Sequence, residues 1–286
     1  MQALREIRRR IRSVENTRQI TKAMEMVAAA RLKKAQGRAE SSRPYAKKLG
    51  LLMENLSLAS GVVSHPLFEK RGEIKKRALV IITSDRGLCG SYNTNIFKAA
   101  GNFLKKYDPK KVILVIVGRK GFNYYKKKDW EIRYKYFGLE TKMNLSELKS
   151  ITNQITDLFL SKEADEVFLL YTRFVNSLVH RVTLEKFLNI QPEEIKEKKE
   201  IDYIFEPNAE EIFDVLLPRY CLNKIQTVLL ESLASEYGAR MTAMNAATKN
   251  AEEMIEHLTL IRNKLRQAAI TKEMLEIASG AEALKG

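Results

Sequence analysis

The segment 83–93, TSDRGLCGSYN, has the residue types that chemistry most often uses in this sequence. It follows an apolar β-rich run and precedes a helical pattern, where a glycine-rich turn can hold phosphate against a helix N-terminus. It matches neither GxxxxGK followed by Ser or Thr nor GxGxxG, so a structural turn that seats a sheet against a helical shaft is the stronger reading. The segment 118–121, GRKG, follows the next apolar run and is read the same way. His65, His180 and His257 lie far apart, and none has a neighbour at metal-ligand spacing. Cys89 has no nearby histidine to take its proton and reads as a structural thiol. Glu193 and Glu194, and Glu252 and Glu253, read as solvated surface. Trp130, Tyr124, Tyr125, Tyr134 and Tyr136 lie among lysines, where rings either stack nucleic-acid bases or pack an α/β core. No catalytic or metal-binding constellation emerges, and no cofactor is expected.

The elements that carry these residues fall into three zones: 1–59, 74–206 and 208–286. Residues 2–59 read as one long helix disturbed only by Gly37, Pro44 and Gly50, with a kink expected at Pro44. Leu4, Ile7, Ile11 and Val14 step by three and four, and the stripe continues less strictly through Ile20, Met24, Val27, Leu32 and Ala35. That is a narrow seam rather than a wide amphipathic face. In the middle zone, apolar runs at 77–83, 111–117 and 166–171 alternate with helical patterns at 93–107, 120–128 and 145–161. Such alternation predicts a mostly parallel, Rossmann-like sheet covered on both faces. Residues 179–187 alternate polar and apolar, as an edge or antiparallel strand does. Residues 196–202 read as a solvated turn before a short strand at 203–205.

From Asn208, a candidate N-cap followed by Glu210 and Glu211, helical pattern runs almost to the end, with a kink expected at Pro218. Tyr237, Met241, Met244, Thr248, Ala251, Ile255, Leu258, Arg262, Leu265 and Ala269 keep a four-three rhythm, a heptad seam. Two long helices at opposite ends of a chain, each too narrowly apolar to stand alone, are expected to pair as an antiparallel coiled coil. The second is longer by about 20 residues, so about 30 Å of it is predicted to project as a single helix. A projecting helix with an apolar seam needs a sleeve.

Charge and composition narrow the partners. Net charge is +15, and residues 1–48 alone hold 14 Lys and Arg against 4 Asp and Glu, a net of +10. Such a segment attracts nucleic acid, lipid headgroups or acidic protein surfaces, and charge does not choose among them. No run of about 18 apolar residues is present to span a membrane. The basic start lacks the apolar stretch of a secretory signal, and a mature cytosolic start is the simpler reading. Cys89 and Cys221 form no close pair, which fits a reducing compartment.

Three blocks carry a family resemblance. Residues 11–36 (IRSVENTRQITKAMEMVAAARLKKAQ), 82–93 and 235–284 closely resemble the gamma subunits of F-type ATP synthases. The ending ITKEMLEIASGAEA is similar to that family's C-terminal signature, with Ile270, Thr271, Glu273, Glu276, Gly280 and Ala281 in place. The resemblance covers essentially the whole chain in order. It implies a central stalk whose coiled coil lies inside the alpha–beta head. The α/β domain would sit below, beside the epsilon subunit and on the c-ring. Ion flow would turn the ring and stalk, and the shaft would drive the beta subunits through their nucleotide states. It also implies shaft-to-head contacts at Met24, Arg240, Arg266, Gln267 and Thr271. Arginine forks suit acidic loops, so the resemblance resolves the basic segment's partner in favour of protein, with no nucleic acid and no direct lipid insertion. The chloroplast form's inserted redox loop with two nearby cysteines has no counterpart, and 190–205 leaves no room for it. The resemblance therefore implies a bacterial enzyme, peripheral on the cytoplasmic side of the cell membrane. The rival readings are a basic coiled-coil nucleic-acid binder and a nucleotide-binding enzyme that uses the 83–93 turn.

Overall fold

The computed structural model describes residues 2–59, 65–138, 144–176, 179–190 and 209–283. The expected N-cap at Asn208, the turn at 196–202 and the strand at 203–205 lie outside the described residues. The chain forms two compact units: residues 1–28 with 241–286, and residues 29–240. Two helices run through both, α1 (Gln2–Ala59) and the last helix (Ala209–Ala283), and Pro44 and Pro218 lie inside them.

The larger unit is organised by apolar runs that must leave water on both sides. Its strands among the described residues are β1 (Arg77–Ile82), β2 (Val112–Val117), β3 (Glu131–Tyr136), β4 (Glu166–Phe174) and β5 (His180–Leu188), in the order β3-β2-β1-β4-β5. The first four are parallel, and β5 pairs antiparallel with β4 at the sheet edge, where the alternating pattern at 179–187 expected it. β1 and β2 are buried almost end to end, as strands covered on both faces must be. β3 alternates exposed and half-buried residues at the other edge. Sequence reading missed it, because EIRYKY is charged at every other position.

Alternate residues of one strand face opposite helical layers. Leu79, Ile81, Leu114 and Ile116 pack with Ile96 and Phe103 of α2 (Tyr92–Leu104) and Tyr125 of α3 (Arg119–Tyr125). Val80, Val115 and Leu169 pack with Ile151, Ile155 and Phe159 of α4 (Leu145–Leu160), and with Phe213, Leu217 and Ile225 of the last helix, α5. Asn144 caps α4 by accepting the Glu147 N–H at 2.7 Å. Asp165 pins the start of β4 to that of β1. Burial pushes its carboxyl up, but bonds from the Lys75 and Lys76 N–H groups and Arg71 overcome this and hold it below the usual range.

The described residues of the smaller unit are all helical. The Thr248 hydroxyl donates to Thr21 Oγ1 at 2.8 Å, and Asn245 donates to Glu25 Oε1 at 3.1 Å. Numbers rise along α1 as they fall along α5, so the helices are antiparallel. The bond from Asn245, with that from Lys22, lowers the Glu25 pKa. All ten heptad residues from Tyr237 to Ala269 are buried or half-buried, those from Met241 onward in this unit. Of the α1 stripe expected past Val14, Met24, Leu32 and Ala35 are buried or half-buried, and Ile20 and Val27 need correction. Thr21 and Ala28 fill the seam, whereas Ile20 (60% exposed) and Val27 (53%) point outward.

Candidate functional site

The family-implied contact residues divide by environment. Arg266, Gln267 and Thr271 are exposed on α5, and Met24 is half-buried on α1. Side chains four apart on a helix share a face, so Arg266, Ile270 and Met274 form one row, and Gln267, Thr271 and Leu275 form the row beside it. Every residue from Ile270 to Ala281 is exposed, Ile277 at 73%. The sequence numbers of the paired residues add to about 269. Residues of α5 past about 268 therefore have no counterpart among the described residues of α1, which starts at Gln2. Ile270, Met274, Leu275 and Ile277 thus form an exposed apolar surface beside Arg266, Gln267 and Thr271. On α1, Ile20, Met26 and Val27 add exposed apolar area to the same unit.

Arg240 is different. It is 7% exposed and belongs to the larger unit. Its guanidinium donates to Glu236 Oε1 at 2.6 Å and to the Arg86 and Gly87 carbonyls at 3.4 Å. It thus ties α5 to the 83–93 turn, a link that sequence spacing could not show.

That turn sits where a doubly wound sheet ordinarily binds a nucleotide, outside the C-terminal ends of the strands where chain order reverses, between β1 and β4. Here the crevice is filled from within. The Asp85 carboxylate accepts the Arg119 and Gly138 N–H groups at 2.9 and 2.7 Å, which puts negative charge where a phosphate would lie. Thr83 Oγ1 bonds the Val117 carbonyl and the Gly121 N–H. A Cβ on Gly118, whose φ is +97°, would lie 2.1 Å from the Thr83 carbonyl oxygen, so only glycine allows this approach. From α5, Ser235 donates to the Thr172 carbonyl at the end of β4, and the Tyr92 hydroxyl donates to the Ser232 carbonyl. The cavity among Thr83, Asp85, Tyr92, Gly118, Ser232 and Glu236 is about 20 Å³, room for one water molecule.

Burial pushes the Cys89 thiol up, with Glu236 adding to the effect, and pushes the Tyr92 hydroxyl well up. Burial likewise pushes Cys221 up to about 12. These groups are protonated near neutrality and poor nucleophiles. The turn therefore seats the sheet against helix, as its composition suggested. The aromatic–lysine cluster is also packed on itself. Tyr124 stacks on Phe97 at 4.1 Å between centroids, and Lys128 lies 3.9 Å from its ring centroid. Among the described residues, no three His, Cys, Asp or Glu side chains gather as a metal site. No helix there is long and apolar enough to cross a membrane.

Comparison with known proteins gives one consistent answer. A family model described as ATP synthase matches residues 3–284. The ATP synthase gamma chain of Protochlamydia amoebophila is 50% identical over 286 residues, covering all of both chains. That of Geobacter metallireducens is 45% identical over 289 residues, again covering all of both. Among solved structures, a chain of the Euglena gracilis mitochondrial ATP synthase has a TM-score of 0.70 at 18% identity and covers 99% of this chain and 94% of its own. A chain of the Tetrahymena thermophila mitochondrial ATP synthase central stalk and c-ring has a TM-score of 0.61 at 24% identity, covering 80% and 99%. At those identities the two structures share the fold.

Proposed function

This chain belongs to the ATP synthase gamma chain family, and from that premise we propose that it is the central-stalk rotor of an F-type ATP synthase, carrying torque without performing bond chemistry itself. The observation that carries this reading is the unpaired end of α5, fully exposed from Ile270 to Ala281 and lined with apolar side chains. A surface of that kind is stable in water only when something closes around it, and a head of alpha and beta subunits is the sleeve that the family supplies. Inside such a sleeve, Arg266, Gln267 and Thr271 offer hydrogen bonds to the head's loops, and Met24 offers an adaptable apolar contact beside them.

The larger unit serves as the foot. Its two-faced core makes it stiff, and Arg240 fastens α5 to it, so rotation of the foot is transmitted to the helix pair. Arg240 thus acts first as an internal clamp, and its contribution to head contacts passes through the turn it holds. Torque enters from a c-ring, with epsilon beside the foot. ATP forms on the beta subunits, since this chain's nucleotide crevice is filled by its own Asp85 and α5. The setting is the cytoplasmic side of a bacterial cell membrane, reached through the membrane sector rather than by a span of this chain.

Steady-state ATP hydrolysis by purified alpha and beta subunits, with and without the chain, tests the proposal. A large stoichiometric rise in sustained turnover is expected, with none from the chain alone. Hydrolysis by the isolated chain, or no effect on alpha and beta, would overturn it.

A further inference from the structure

A hollow of about 740 Å³ lies within the larger unit, and the rotor reading gives it no work. α1, the first turn of α4 and α5 enclose it, and its volume is within the range of small-molecule sites. Leu148 and Leu230, each 3% exposed, make an apolar floor. Two adjacent rows of α1 make one wall. Lys34 and Arg38 are four apart in one row, and Lys33 and Gly37 in the next. A second hollow of about 310 Å³ shares Lys34, Arg38 and Leu230 with the first. None of the described residues lining either hollow is acidic. Lys33, Lys34 and Arg38 are exposed, and none is held in an ion pair or hydrogen bond among the described residues. Glu40, two residues on from Arg38, lies on another side of α1, where Gln36 donates to it at 2.9 Å.

Gly37 adds an independent sign. A glycine inside a helix weakens it, and nothing in the fold asks for one here, since a Cβ would meet no atom within 4 Å. The missing side chain instead leaves a gap between the cations of the wall, where a ligand can approach the backbone. We propose that this hollow binds the polyphosphate group of a small molecule, with Lys33, Lys34 and Arg38 as its charge partners and Gly37 as the gap it fills. Phosphate oxygens accept from lysine as a point charge and from arginine as a fork. Lys33 and Arg38 are separated by about 7.5 Å along the helix, which suits linked phosphates better than a single one. A protein loop fits less well, because the site is concave and lysine is depleted at protein interfaces. The hollow belongs to the larger unit alone, so it needs no other chain to form.

Titration calorimetry of the full chain with pyrophosphate and with ADP, at physiological salt, is the test. One saturable site is expected. K34Q/R38Q and G37L are each expected to weaken it at least about tenfold. The first removes charge, and the second fills the gap with every charge in place and should not lower stability. K110Q/K111Q removes as much charge from an exposed turn and is expected to change nothing. Tighter binding of ADP than of pyrophosphate would identify a nucleotide whose base lies on the leucine floor, and equal binding would identify an inorganic polyphosphate; both uphold the site. Absence of saturable binding, or undiminished binding by G37L, overturns the inference. An equal loss in K110Q/K111Q also overturns it, by showing attraction to net charge alone. So does a K34Q/R38Q variant that binds pyrophosphate like the parent but no longer assembles with alpha and beta, which would make the hollow a protein contact.

Discussion

The two units solve the problem of leaving water in opposite ways. In the larger one, Ile81, Leu114, Ile151, Ile155 and Phe159 are at most 1% exposed, and every strand but the edges is covered on both faces. In the smaller one, Thr21, Ala28, Thr248 and Ala251 share the seam with Ile11 and Met244, while Ile20, Val27, Met274 and Ile277 face outward. A narrow seam with threonine and alanine set among its larger apolar residues buries less apolar area per residue than a core covered on both faces. The larger unit is complete as it stands. The smaller one is built to be completed by something around it.

The sharpest way to break that contrast is to remove apolar atoms from each side. Phe159→Ala is expected to destabilise the isolated chain by about 3–5 kcal/mol in urea unfolding, whereas Val27→Ala is expected to stay within about 0.5 kcal/mol and instead weaken assembly with alpha and beta. Equal losses in the isolated chain would mean that Val27 is already buried there. Arginines provide a second comparison of similar size. Arg240→Ala removes an ion-pair partner of Glu236, which is 3% exposed, and is expected to cost about 3 kcal/mol. Arg266→Ala and Gln267→Ala should leave stability unchanged and reduce assembly or coupling. If Arg240→Ala proves neutral in the isolated chain, its role lies with the head instead.

Helix continuity provides a third comparison. Proline at Met244, in the paired seam, costs about 3 kcal/mol or more, and deletion of about ten C-terminal residues is expected to be better tolerated, because that end is unpaired. Matching losses of assembled ATPase would contradict this. The smallest expected effect concerns His65, whose Nδ1 accepts the Leu67 N–H at 3.1 Å. Burial lowers its pKa below 6.5, against the pull of Asp214. The unfolded chain then binds the proton more readily, so stability is full above pH 6.5 and falls as pH drops toward the folded-state value. His65→Gln should flatten that slope, worth less than about 1 kcal/mol. An unchanged slope would assign the effect to other groups.

How far the sequence was legible follows the same division. The heptad of α5 was readable at all ten positions because large apolar residues recur through it. The α1 seam was read at Met24, Leu32 and Ala35 but misread at Ile20 and Val27, because size points to those two, and only the partner helix makes Thr21 and Ala28 the inward residues. β1, β2 and β4 were visible as apolar runs. β3 was hidden, since an edge strand with one solvated face carries lysine, arginine and glutamate. The 83–93 turn was recognised as structural, but the groups that fill its crevice come from Asp85 and from α5 about 140 residues later. The burial of Arg240 likewise depends on Arg86 and Gly87, which are remote in sequence.

The most direct test of a rotor is to watch it turn. Alpha and beta subunits fixed to a surface, assembled with the chain carrying a bead on the exposed loop at Lys110, are expected to rotate the bead in one direction when ATP is added and to stop when it is removed. A bead that stays still while the same complexes hydrolyse ATP would contradict the account, making the chain a static activator of the head rather than its shaft.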